Sequence, residues 1–174
     1  MKAFPLYTQP DLMDCGTTCL RMIAQYYGRR FSLQFLRERC FITRLGVSML
    51  GISDAAEHVG FRTIQVRCDF EQLAGEAPLP CILHWNQNHF VVCYSIEKKP
   101  AFFSGKSRYK IKIADPCGEK YEMNEAEFKK CRISTQSKGK EMGTALLLTP
   151  TPNFYEQDLE ENGAKKGFGY FFVT

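Results

Sequence analysis

Cys15 is the residue whose type and setting best fit nucleophilic chemistry. It follows Asp14, precedes Gly16, and stands where apolar residues of helical spacing begin: Leu20, Ile23, Ala24 and Tyr27, with Gly28 as a stop. Asp14 is the expected N-cap. A helix N-terminus carries about half a positive charge and unpaired N–H groups, and both stabilise a thiolate. With a histidine nearby, a thiol pKa there falls from about 8.5 to roughly 3.5–7.5. Gly16 would let a substrate backbone come close. The competing reading is a small residue at a crowded helix start, and position alone does not choose between them.

A thiol nucleophile needs a base, usually histidine. His58 falls near the end of a surface-type helix and reads as solvated. His84 sits inside an apolar strand beside Trp85 and reads as packed. His89 opens the next strand, beside Asn86, Gln87 and Asn88, and is the favoured base. A base needs an orienting group. Asp115 ends a later strand, 109–115; if that strand pairs antiparallel with 89–94, Asp115 comes alongside His89. Otherwise Asp115 simply starts a turn before Pro116. Gln9, six residues before Cys15, could donate its amide to a developing oxyanion. Cys19 lies one turn after Cys15, too far along the helix for an easy disulfide, and reads as packing.

These candidates are carried by a simple succession of elements. Met1 to Asp14 is extended, with Pro5 and Pro10. A helix from Cys15 is followed by one opened by Ser32 (Phe35, Leu36, Arg39) and one opened by Ser48 (Leu50, Ile52, Ala55, Ala56, Val59) and closed by Gly60. After Gly60 the period changes toward 2. Strands are expected at 61–66, 80–85, 89–94, 109–113 and 144–149, with a helical turn at 69–73 and a helix capped by Asn124 through Phe128. Helices first and antiparallel strands after give an α+β fold, a helical lobe facing a sheet lobe with a cleft between. No internal repeat is visible.

Composition narrows the function classes. The chain has 174 residues, 44% hydrophobic and 24% charged, ordinary for a globular domain. Lys plus Arg total 23 against 19 Asp plus Glu, and a formal charge of +4 is too small to argue for nucleic acid. No apolar stretch approaches the roughly eighteen residues of a membrane helix, and the N-terminus lacks a secretion-signal core, so a cytosolic setting is the default. The eight cysteines are scattered singly through apolar segments, as reduced core residues are. Without a Cys-x-x-Cys pair, spacing gives little support to a zinc site, and no metal is expected. Between Glu97 and Lys112 lie Lys98, Lys99, Lys106, Arg108 and Lys110: a solvated hairpin, or a contact for an acidic peptide or lipid headgroups.

Four segments together carry a resemblance. Gln9-Pro10-Asp11-Leu12-Met13-Asp14-Cys15-Gly16-Thr17-Thr18-Cys19-Leu20 resembles the nucleophile motif of the bacteriocin-processing, double-glycine cysteine peptidases. These are papain-like domains at the N-terminus of peptidase-containing ATP-binding cassette transporters. His89-Phe90-Val91-Val92-Cys93-Tyr94 resembles the family's histidine strand. Ile113-Ala114-Asp115-Pro116 followed by Gly118 resembles its aspartate motif, and Gly143 to Pro150 its closing strand. The likeness spans about residues 6–150, in order. Thr18 stands where alanine is common, and Arg132-Ile133 where Trp-x-Gly is frequent.

The resemblance implies a papain-like α+β peptidase domain over 1–150. Residues 151–174 would be a linker or tail toward a transmembrane domain absent from this chain. It implies Cys15 as nucleophile, His89 as base, Asp115 as orienting group and Gln9 in the oxyanion hole. The substrate would be a leader peptide cut after Gly-Gly while the transporter exports the cargo. Partners would be that leader and the transporter's membrane and nucleotide-binding domains, at the cytoplasmic face of the bacterial inner membrane. No cofactor is implied here; ATP and Mg²⁺ belong to the nucleotide-binding domain. A non-catalytic leader- or cargo-binding domain and a redox sensor built on Cys15 and Cys19 are the rivals.

Overall fold

A computed structural model of the chain describes residues 3–43, 46–99, 109–132, 135–137 and 139–156. A 3-10 turn, Leu12–Asp14, runs straight into α1 (Cys15–Tyr26). The expected Asp14 cap is not made: the Asp11 carboxylate caps the 3-10 turn, accepting from the Met13 N–H at 3.2 Å. Two hydroxyl caps follow as expected. Ser32 Oγ accepts from the Phe35 N–H to open α2 (Leu33–Cys40), and Ser48 Oγ accepts from the Gly51 N–H to open α3 (Met49–His58). Strand β1 (Phe61–Cys68) leads to α4 (Phe70–Glu76), where Asp69 and Gln72 form a capping box. The remaining elements are β2 (Cys81–Trp85), β3 (His89–Lys98), β4 (Tyr109–Asp115), β5 (Glu119–Met123), α5 (Glu125–Arg132), β6 (Thr135–Ser137), β7 (Lys140–Pro150) and α6 (Pro152–Glu156).

The strands form one antiparallel sheet along the path β1-β7-β2-β3-β4-β5, with β6 beside β7. This is the expected α+β class. The simple picture of a helical lobe facing a sheet lobe is incomplete, because helices cover both faces of the sheet. Side chains alternate across a strand, so neighbours enter different cores. Phe90, Val92, Ile82 and Leu146 pack with Leu20, Ile23 and Ile52 on the α1–α3 side. Val91, Cys93, Leu83 and Ala145 pack with Phe70, Leu73 and Phe128 from α4 and α5 on the other.

Besides the 3-10 turn at Leu12–Asp14, in a segment expected to be extended, three elements escaped the sequence reading. β5 has only Tyr121 and Met123 as its apolar residues, and β6 is three residues long. α6 carries the folded structure past Pro150: Phe154 is fully buried, its ring 4.4 Å from that of Phe61. The Arg29 guanidinium donates to the Phe154 carbonyl. The rest of the segment read as linker, 157–174 with its aromatic run, lies outside the described residues, as do 100–108 of the basic hairpin. Of that hairpin's cations, Lys112 pairs with Glu97 at 2.7 Å and Lys110 with Glu122 at 2.8 Å.

Arg132 is buried under the sheet. Its Nη2 donates to the Cys68 and Gly143 carbonyls, at 3.0 and 3.2 Å. Gly143 makes room for it, since a Cβ there would lie 2.6 Å from Arg132 Cγ.

Candidate active site

Strand register brings the first pair together. β3 and β4 run antiparallel with Val92 opposite Ala114, so the start of β3 meets the end of β4. His89 Nε2 lies 2.9 Å from Asp115 Oδ1. Asp115 comes alongside His89, as the antiparallel pairing predicts, and it also starts a turn. Its Oδ1 accepts from the Cys117 N–H at 2.9 Å and its carbonyl from the Gly118 N–H at 3.0 Å, which is ordinary turn chemistry. The Tyr121 hydroxyl, 3.4 Å from Oδ2, approaches the other carboxylate oxygen. Tyr121 was missed because its strand was missed.

The electrostatics follow from these contacts. Burial alone would raise the Asp115 carboxyl, but the bond to His89 and the Cys117 N–H outweigh it and hold it below the usual carboxylate value. His89 is pushed up to about 9 by its hydrogen bond to Asp115 first and by one to Cys15 second. Because Nε2 faces Asp115, Nδ1 is the nitrogen left for the sulfur.

Cys15 is the first residue of α1 and is 6% exposed. One turn on, the Cys19 thiol donates to the Phe90 carbonyl at 3.4 Å. Burial pushes the Cys19 thiol well above its ordinary value. Cys19 is thus a packing residue, as expected, and poorly suited to thiolate redox chemistry. Asp14, just before Cys15, is 1% exposed and carries a two-pronged ion pair with Arg37 of α2. This pair locks α2 against the start of α1; nothing in the local sequence pointed to Arg37.

Gly16 has a different job from the one expected. A Cβ on it would lie 2.4 Å from Ile52 Cδ1 and 2.5 Å from Val47 Cγ1. Its missing side chain lets α3 approach α1, rather than a substrate. Gln9 is anchored beside the His–Asp pair, its N–H donating to the Pro116 carbonyl at 2.7 Å. The Gln9 Oε1 is buried and finds no donor among the described residues.

The other histidines stand apart. His84 packs its ring 5.5 Å from that of Phe90, and burial lowers its pKa. His58 is exposed at the end of α3. Cys117 is exposed, and its Sγ lies 3.9 Å from His89 Nε2. Among the described residues, the donor atoms of His89, Asp115 and Cys117 form the group close enough to share a metal ion, all within 4.8 Å of one another.

A thiol at a helix start and a histidine held by a carboxylate are the residue types a thiol peptidase uses. The family model described as Peptidase C39 matches residues 3–132. The chain belongs to the Peptidase C39 family, a family of cysteine peptidases. A double glycine motif protease from an AMS/PCAT transporter, solved with its leader peptide, is 30% identical with a TM-score of 0.69, over 84% of this chain and 91% of that one. The peptidase domain of Streptococcus ComA, a bi-functional ABC transporter, is 25% identical with a TM-score of 0.66, over 86% of this chain and all of that one. Among curated proteins, the probable microcin-H47 secretion/processing ATP-binding protein MchF of Escherichia coli is 34% identical over 54% of the chain and 13% of its own length. The Lactococcus lactis lactococcin transport/processing protein LcnC-like is 33% identical over 84% of the chain and 19% of its own length. The chain thus corresponds to less than a fifth of these two relatives. Among the described residues no helix is long and apolar enough to cross a membrane.

Proposed function

We propose that this C39 domain cleaves leader peptides on the C-terminal side of a Gly-Gly pair, with Cys15 as nucleophile, His89 as base, Asp115 as orienting carboxylate and Gln9 as oxyanion donor. The observation that carries the reading is the His89 ring held by Asp115 at 2.9 Å, with Cys15 at the start of α1 near enough to help raise the ring's pKa. The leader peptide bound to the 30%-identical double glycine motif protease supports the substrate class.

The Cys15 thiolate adds to the carbonyl of the second glycine. Negative charge develops on that oxygen, where the first-turn backbone N–H groups of α1 and the Gln9 amide can donate. The imidazolium of His89 protonates the departing amine, leaving a thioester. Water then gives its proton to His89, attacks the thioester, and releases the leader. Asp115 keeps the ring's orientation and stabilises its charge throughout. None of these steps requires a cofactor.

In this reading the domain is part of a peptide-exporting ATP-binding cassette transporter and faces the cytoplasm. ATP and Mg²⁺ serve the transporter's nucleotide-binding domain. The deciding experiment incubates the chain with double-glycine leader peptides and locates the cut by mass. Cleavage should follow the second glycine and vanish in Cys15→Ala, with an unchanged circular dichroism spectrum. Undiminished cleavage by Cys15→Ala would end the reading. Specific leader binding without cleavage by the unmodified chain would instead establish the non-catalytic alternative.

A further inference from the structure

Cys117 takes no part in the mechanism above, yet its thiol stands at the outer edge of the His89–Asp115 pair. We propose that His89, Asp115 and Cys117 form an inhibitory zinc site, which captures His89 Nε2 and thereby disarms the base. The sequence gives no zinc spacing because the ligands come from the start of β3, the end of β4 and the turn after it. Only the β3–β4 register gathers them.

The chemistry and geometry agree. One imidazole, one carboxylate and one thiolate are the ligand types zinc prefers, and with a water they complete a tetrahedron. A Zn–S bond of about 2.3 Å and Zn–N and Zn–O bonds of about 2.0–2.2 Å require ligand atoms roughly 3.3–3.6 Å apart. The Nε2–Oδ1 separation is now 2.9 Å and the Nε2–Sγ separation 3.9 Å. The three donor atoms lie within 4.8 Å of one another, so side-chain rotation can bring them onto one ion. Cys117 is exposed, so an ion has a way in. Thiolate and carboxylate together balance the charge of the ion.

On binding, the Cys117 thiol and the His89 Nε2–H that faces Asp115 each give a proton to solvent, and the freed Nε2 lone pair goes to the metal. The neutral ring then carries its single proton on Nδ1, the nitrogen that should receive the proton of Cys15. Asp115 now bonds the metal rather than the ring. The site's inhibitory effect, unlike its existence, rests on the peptidase reading.

The test titrates the metal-freed chain with Zn²⁺ alone in a calorimeter, and with Co²⁺ as an optical probe. Cys15→Ala should bind one Zn²⁺ as the unmodified chain does, and both should show thiolate-to-cobalt charge transfer. Cys117→Ala should bind at least tenfold more weakly and lack that band. Because neither readout uses substrate, it stands whatever becomes of the peptidase reading. In cleavage assays, with each protein normalised to its own rate in chelator, Cys117→Ala should need at least tenfold more Zn²⁺ for half-inhibition. Loss of binding in Cys15→Ala with retention in Cys117→Ala would place the metal on the nucleophile and overturn the proposal, as would the absence of zinc binding by the unmodified chain.

Discussion

The Cys19 thiol donates to the Phe90 carbonyl across the seam between α1 and β3. These two residues sit one helical turn beyond Cys15 and one strand residue beyond His89. The bond therefore fixes the helix against the strand at the point where sulfur and imidazole must meet. Cys19→Ala removes the bond and opens a small void in a fully buried site. Stability should fall by about 1–2 kcal/mol, read by denaturant unfolding. kcat should fall by more than KM rises, because the sulfur–imidazole geometry loosens while the substrate surface is untouched.

The raised His89 pKa sets an alkaline limit. The ring gains partners on folding, so its folded value of about 9 lies above the ordinary 6.5. The stabilisation from the protonated ring is complete below pH 6.5 and is lost as pH rises through about 9. Cleavage, which uses the imidazolium to protonate the leaving amine, should fall over the same alkaline range. In Asp115→Asn the first cause of the shift is gone, so the alkaline limb of kcat/KM should move to lower pH. A limb unmoved by that substitution would assign it to another group.

Gln9 is tested by its amide. Gln9→Ala should lower kcat by about a hundred- to a thousandfold with little change in KM, as removal of one oxyanion donor does. Because its backbone N–H holds Pro116, a thermal melt of the variant separates loss of the amide from loss of the turn.

Gly16→Ala tests the contact between α1 and α3. The added methyl meets Ile52 and Val47 well inside contact distance. Overpacking of this kind costs about 1–3 kcal/mol. Val47→Ala or Ile52→Val in the same chain should return part of the loss in chemical denaturation. A substrate-clearance role for Gly16 would give no such rescue.

Much of the fold could be read along the chain because its signals are local. Ser32 and Ser48 announce helix starts by hydroxyl capping, and Cys81 to Tyr94 reads as two strands by its apolar runs. The misreadings also have local causes. Asp14 has the right type and place for a cap, but Arg37, 23 residues away, claims its carboxylate. Gly16 looked substrate-facing because the neighbour filling its space, Ile52, belongs to another helix. Tyr121 was invisible in a strand whose alternation is mostly polar.

The sequence by itself determined the candidates: a cysteine at a helix start, a histidine at a strand start, an aspartate at a strand end and an upstream glutamine. Residue chemistry and local periodicity are short-range properties, legible from neighbours. Tertiary structure alone decided which groups meet. The β3–β4 register puts His89 Nε2 on Asp115, and the same register draws Cys117 to the edge of the pair. Such pairings depend on strand order and on helices packing across the sheet, which arise from burying apolar faces that lie far apart in the chain.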